Sequence, residues 1–375
     1  MKISNTILLA VCLFFGCSQV DLPIDNEATE ETVNLYNNLK AISQNGFMFG
    51  HQDDQAYGVG WFAEEGRSDV LSAVGKYPAV HGWDLGRDLS GDRNIDSVSY
   101  ERMKKWAVAA YERGGINTAS FHMDNLTTGG NSWDRTPSVK DILPGGSKHG
   151  EFLEQLDLLA DFFADCDIPF IFRPWHEHNG NWFWWGKGNC TEEEYAQLFR
   201  FTVDYLKNKK NIHKLLYAFS PDRSRLPLDS MAEQNYLWGY PGDEYVDIIG
   251  LDNYRDARKS QNGSVSNVQN MTESLKLITA IANKKNKVAA LTETGNESIK
   301  NPNWFTEVIL DPVKENKDEI NIGWVLVWRN SNLPNHYYVP YGEHEAMNDF
   351  KDFEKDNMTL FESDLNGQIY DKPNL

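Results

Sequence analysis

Ile168-Pro-Phe-Ile-Phe-Arg-Pro-Trp-His-Glu-His-Asn-Gly180 is the stretch from which the fold can be read. Ile168–Phe172 is a solid apolar run, too short for a helix. It has the look of a strand buried on both faces, as in a parallel sheet. At Arg173 the run gives way to charged, aromatic and amide groups, so the strand ends where chemistry begins. Upstream, Glu151–Cys166 repeats Phe152, Leu156, Leu159 and Phe163 on one helical stripe. Downstream, Thr191–Leu206 opens with Thr-Glu-Glu-Glu, a capping box with an acidic first turn. Helix, strand, loaded loop and helix make a βα unit.

The same alternation extends in both directions. Candidate strands are Phe47–Gly50, Ala79–Asp84, Ile116–Phe121, Ile168–Phe172, Leu215–Phe219, Val246–Leu251, Val288–Thr292 and Ile322–Trp328. Further helices are predicted over Ser99–Arg113, with Met103, Trp106, Ala107, Ala110 and Tyr111 on one stripe, and over Gln269–Asn283. Eight strand–helix units in the 375 residues fit the α/β class as a (β/α)8 TIM barrel in a single domain. The open doubly wound alternative lacks its Gly-rich turn, because Phe49-Gly-His-Gln-Asp-Asp54 offers no GxGxxG.

The amino terminus reads as a targeting segment. Lys2 precedes the apolar run Ile7–Phe15, which is shorter than the roughly 20 residues needed to span a bilayer, and Gly16-Cys17 follows. The expectation is a signal peptide over residues 1–16, then a lipidated Cys17 and polar tether over 17–31, then the barrel over 32–375. The protein is expected to be exported and lipid-anchored to a bacterial membrane. Cys166 and Cys190 then remain, placed at opposite ends of one strand and too far apart to bridge.

Composition narrows the partners. Thirty-six basic against 55 acidic residues give a formal charge of −19, which disfavours nucleic acid and polyanionic surfaces. Twelve Trp residues exceed the usual needs of packing and suggest flat platforms for uncharged ring faces.

In a barrel the active face is built where the strands end. His51-Gln-Asp-Asp54, Trp83-Asp84, His122 with Asp124 and Asn125, the Arg173–Gly186 stretch, Asp252-Asn-Tyr-Arg255, Glu293-Thr-Gly295 and Trp328-Arg-Asn330 all fall there. Two carboxylates stand out. Glu177 follows strand four and Glu293 ends strand seven, facing each other across the mouth. Glycoside hydrolysis with retention needs two such groups about 5–5.5 Å apart, one protonated and one ionised. Trp175, Trp182, Trp184 and Trp185 would surround Glu177 and raise its pKa, one of Trp184 and Trp185 being core. Arg173 and Tyr254 would keep Glu293 ionised. Neither a metal nor a cofactor is expected. His176-Glu177-His178 puts two His on one strand-like face without a third ligand, and the spacing is not HExxH. Asp53-Asp54 reads as polar rim.

Arg173-Pro-Trp-His-Glu-His-Asn-Gly180 with Trp182, then Leu291-Thr-Glu-Thr-Gly295, resembles glycoside hydrolase family 26, the β-mannanases, including lipoprotein members from gut Bacteroides-type bacteria. The resemblance runs over nearly the whole mature chain. It implies that Glu177 is the acid/base and Glu293 the nucleophile. It also implies that His176, Trp182 and Trp328 contact sugar rings and that Tyr254 holds the nucleophile. His122, Asp252 and Arg329 would bind hydroxyls or orient neighbours, with Arg173 completing the substrate-binding set. The implied reaction is retaining cleavage of β-1,4-mannosidic bonds in mannan, glucomannan or galactomannan by a monomer. Cutting is either internal or releases mannobiose from chain ends. The alternatives are a β-1,4- or mixed-linkage glucan or xylan hydrolase, and a non-catalytic sugar-binding lipoprotein, which would not need two opposed glutamates. A long loop over Met123–Gly150 is expected to wall off part of the cleft on the non-reducing side.

Overall fold

The computed structural model describes residues 20–258, 268–333 and 335–373. The expected signal peptide and Cys17 lie outside the described residues. Eight parallel strands form the barrel: β1 (Phe47–Gln52), β2 (Val80–Asp84), β3 (Ile116–Ser120), β4 (Phe170–Arg173), β5 (Leu215–Phe219), β6 (Ile248–Asn253), β7 (Val288–Thr294) and β8 (Ile322–Val327). Each pairs with its sequence neighbour, and β8 returns to β1 with Met48 opposite Trp324 and His51 opposite Val327. The ring is closed, so neither β1 nor β8 is left as a free edge.

The principal helices are α1 (Glu30–Ser43), α2 (Asp69–Val74), α3 (Tyr100–Glu112), α4 (His149–Cys166), α5 (Glu192–Asp204), α6 (Val268–Lys285) and α7 (Met347–Lys355). The Thr191 capping box forms as the sequence requires. Strand residues alternate between two cores. Ile171 points inward with Met48, Val80, Leu216, Ile248 and Leu326, while Phe170 and Phe172 point outward against Phe163 of α4. Leu35, Tyr36 and Leu39 of α1 join the inner core, so α1 seals the amino-terminal end of the barrel. The strands' carboxyl ends, at the other end of the barrel, open into a cleft.

The polar segment ahead of α1 is docked rather than loose. The Ile24 amide donates to Asp247 at 2.7 Å and His213 meets Asp25 at 2.8 Å. Thr29 caps α1, which begins inside the stretch expected as tether. The Met123–Gly150 loop is also structured. It contains a helical turn at Val139–Ile142, and its last two residues already belong to α4. Cys166 ends α4 below the sheet and Cys190 precedes α5 above it, and both are free thiols. Among the described residues, no helix is long and apolar enough to cross a membrane.

Candidate active site

The loop after β4 is shaped by two left-handed residues, Trp175 (φ 55°) and Glu177 (φ 53°). Such backbone is costly for residues other than glycine and clusters at functional sites. Its effect is to split four consecutive side chains between the cleft and the core. Trp175 turns into the core and donates to Thr202 Oγ1 at 3.0 Å. His176 and Glu177 enter the cleft. His178 turns away, stacked on Tyr195 at 4.2 Å with its Nε2 3.0 Å from the Trp238 carbonyl. The two His therefore do not share a face. The strand-like alternation expected for His176-Glu177-His178 fails because this segment is a turn.

Glu177 is anchored by its own backbone N–H, which donates to the Ser220 carbonyl at 2.8 Å. Its Oε2 accepts from Trp182 Nε1 at 2.7 Å. The Trp182 ring lies so close over Gly180 that a Cβ there would come within 2.2 Å of it, which explains the glycine. Burial pushes the Glu177 carboxyl well above the usual range, and the negative neighbours Asp222, Asp252 and Glu293 push it further. Trp182 opposes this only in part.

Glu293 sits on β7 itself. The register of β6 and β7 slips between Leu251 and Asp252, leaving Asp252 opposite Glu293 rather than Thr292. A bulge of this kind re-aims side chains next to a site. Arg173 donates from Nη2 to Glu293 Oε1 and from Nη1 to Asp252 Oδ2 at 2.7 Å. Tyr254 donates its hydroxyl to Glu293 Oε2 at 3.0 Å. Thr292 Oγ1 completes the cage by donating to Asp252 at 2.7 Å. Burial works against charge on Arg173, but Asp252 and Glu293 outweigh it and hold the guanidinium protonated.

His176 Nε2 lies 4.0 Å from Glu293. Burial, with the Arg173 charge, drives this imidazole well below its ordinary pKa, so it is neutral. His122 behaves oppositely. Burial would lower it too, yet Asp84 Oδ2 at 2.5 Å raises it. The two rings meet edge to face at 4.5 Å.

These groups line one cleft of about 770 Å³ at the carboxyl ends of the strands. His122, His176, Glu177, Trp182, Tyr254, Glu293, Trp328 and Arg329 all reach it. Arg173 and Asp252 do not. They are buried beneath Glu293, where Arg173 holds that carboxylate and Asp252 holds Arg173. The Trp expectation also needs correction. Trp175, Trp184 and Trp185 are fully buried, with the last two donating to the Met123 and His176 carbonyls at 2.9 Å each. Of the four Trp expected around it, Trp182 is the one that hydrogen-bonds the Glu177 carboxyl. Asp53 and Asp54 are buried as well, Asp53 against Tyr57 and Asp54 against His51 and Ser68, and are not rim.

Several lining residues had no place in the sequence reading. Asp222 and Ser224 follow β5, and Asp96 follows β2. Trp133 did have a place, in the long loop expected to wall the cleft; it lines the cleft, is half exposed and stacks on His122 at 5.4 Å. The signal for Asp222 was its position just past a strand end, the rule applied to the other strands. His176, Asp252 and Glu293 also bring ligand atoms within 4.8 Å of one another. Arg173 already serves as counter-ion to both of those carboxylates, so a metal would have to displace it.

A sequence model of glycosyl hydrolase family 26 matches residues 24–325. A mannan endo-1,4-beta-mannosidase from Bifidobacterium adolescentis is 32% identical over 373 residues, covering 93% of this chain and 36% of that protein. One from Bacillus subtilis strain 168 is 28% identical over 255 residues, covering 64% of this chain and 67% of that protein. The chain thus spans about a third of the first relative's length and two thirds of the second's. Among solved structures, a GH26 β-mannanase from Bacteroides ovatus matches with a TM-score of 0.84 at 38% identity, covering 92% of this chain and 99% of that one. The catalytic domain of a Bacillus sp. JAMB-750 GH26 endo-β-1,4-mannanase matches with a TM-score of 0.85 at 34% identity, covering 94% and 97%.

Proposed function

The chain belongs to glycosyl hydrolase family 26, and on that premise we propose that it hydrolyses β-1,4-mannosidic bonds in mannan, glucomannan or galactomannan with retention of configuration. The observation that carries the reading is the pair of carboxyls in one cleft with opposed surroundings. Glu177 is pushed towards its protonated form, and Glu293 is paired with a guanidinium and a phenol. The names and the similarity of the relatives support the mannan assignment.

In the first step the Glu293 carboxylate attacks the anomeric carbon. The glycosidic C–O bond breaks, and Glu177 gives its proton to the departing oxygen. In the second step Glu177, now ionised, takes a proton from water. That water attacks the anomeric carbon and releases Glu293. Two inversions leave the product with the configuration of the substrate. Arg173 and Tyr254 aim the nucleophile, and Arg173 compensates its charge. Trp182 and Trp328 offer flat faces to sugar rings on either side of the cleaved bond. His122, His176 and Arg329 supply hydrogen bonds to hydroxyls, and the neutral His176 adds no charge beside the sugar.

The remaining expectations belong to this proposal: residues 32–375 as the catalytic domain, export with a lipid on Cys17, and action as a monomer. Lys2, the Ile7–Phe15 run and Gly16-Cys17 support the export and lipid expectations. The test is release of reducing ends from mannan, glucomannan and cellulose by the wild type and by Glu293→Ala. The wild type is expected to prefer the mannans and the variant to be nearly inactive. Preference for cellulose overturns the substrate, and equal rates for the two proteins overturn the mechanism. The product ladder from long mannan separates internal cutting from release of mannobiose at chain ends.

A further inference from the structure

We propose that Tyr57 and Asp53 are positioning residues for Arg329, and that through it they set how tightly the cleft holds the sugar on the Trp328–Arg329 side. This rests on the hydrolase reading above.

Arg329 lines the cleft and is held by two neighbours, Tyr57 beneath the cleft and Asp96 in its wall. Its Nη1 donates to the Tyr57 hydroxyl at 3.1 Å, and its Nη2 meets Asp96 Oδ1 at 2.8 Å. A guanidinium has five N–H donors and no acceptor, so the Tyr57 oxygen must accept from it. The single hydroxyl proton is therefore free to point elsewhere, and it goes to Asp53 Oδ2. The direction of the Arg329–Tyr57 bond is fixed by this valence argument. The guanidinium also lies over the Tyr57 ring, 5.5 Å from its centroid. These two bonds leave further N–H groups for a ligand in the cleft.

Tyr57 and Asp53 are buried and do not line the cleft, so neither touches substrate. Their own placement is specific. Tyr57–Gly58 pairs with Trp61–Phe62 as a short hairpin. The Asp69 carboxylate accepts from the Val59 amide at 3.0 Å and from Trp61 Nε1 at 2.7 Å. The same carboxylate accepts from Asn330 Nδ2 at 2.8 Å, the residue next to Arg329. One buried acid thus locks the hairpin to the β8 loop. Asp53 is left-handed (φ 52°), and its Oδ1 has no partner although buried. A buried, half-satisfied carboxyl in strained backbone costs stability, which calls for a functional reason. Burial first, then Asp96, lifts Asp53 to about 8.

The test is a double-mutant cycle of Tyr57→Phe and Arg329→Ala. It is run on whichever polysaccharide the wild type cleaves, so loss of the mannan assignment leaves the cycle readable. Tyr57→Phe is expected to raise KM on long oligosaccharides roughly three- to tenfold with kcat little changed, the loss of one hydrogen bond to a charged group. In the Arg329→Ala background the same change should alter KM by less than about twofold. Asp53→Asn keeps an oxygen acceptor and should stay within about twofold of wild type, whereas Asp53→Ala should match Tyr57→Phe. Equal effects of Tyr57→Phe in both backgrounds, or a fall in kcat at constant KM, would overturn the proposal. If Tyr57→Phe does not fold, the Asp53→Asn and Asp53→Ala pair decides the same question.

Discussion

The two sides of the cleft treat the same side chain in opposite ways. On the β4 side, Glu177 hangs from a strained turn, touched by one indole N–H and faced by Asp222, Asp252 and Glu293. On the β7 side, Glu293 projects from a strand, re-aimed by a bulge and gripped by Arg173 and Tyr254. One environment penalises a carboxylate and the other supplies its counter-charge. The lesson is that role is set by the shell around a residue, not by the residue type. The supports differ as well: the residue proposed as nucleophile is on a strand, while the residue proposed as acid/base is on a turn.

The largest effects should come from removing either glutamate, and they should differ in kind. Glu293→Ala is expected to lower kcat/KM on every substrate by about 10⁴-fold or more, as loss of a nucleophile does. Glu177→Ala should cost about 10²–10⁴-fold on mannan, where the leaving alcohol needs a proton. The bond-cleavage step should recover for an aryl mannoside with a good leaving group, leaving slow turnover of the glycosyl-enzyme. Steady-state and burst kinetics on the two substrates check this. If both variants lose activity equally on both, the two sides are not distinct.

A smaller change would sharpen the contrast. Asp222 is a negative neighbour that raises Glu177, so Asp222→Asn should lower the pKa of the acid. An acid must be protonated to work, so activity is lost as pH rises through its pKa. The alkaline limb of the kcat/KM profile should therefore move to lower pH in Asp222→Asn, with the acidic limb unmoved. A limb moving to higher pH contradicts the electrostatic account of the β4 side.

Much of this contrast was legible in the sequence. Short apolar runs ending in charged residues located Glu177 and Glu293, and helical stripes located α3, α4, α5 and α6. Three things were not legible. The partnership of Arg173 with Glu293 was legible, but its absence from the cleft lining was not, because Arg173 is the last residue of β4 and is buried under Glu293. Trp175, Trp184 and Trp185 were expected around Glu177, with one of the last two in the core, yet all three are core, because aromatic composition carries no direction. The left-handed turns at Trp175 and Glu177 decide the direction of the first, and local strand periodicity cannot foresee them. Finally, the contacts of Arg329 with Tyr57 and Asp96 join segments far apart in the chain, and no local pattern encodes such a pairing.

The assignment of roles is tested most directly by azide rescue with an aryl β-mannoside bearing a good leaving group. In Glu177→Ala the sugar still loads onto Glu293, so azide attack should yield the β-mannosyl azide. In Glu293→Ala azide occupies the vacated carboxylate space and attacks directly, so the α-mannosyl azide should form. The opposite pairing of variant and anomer would contradict the account.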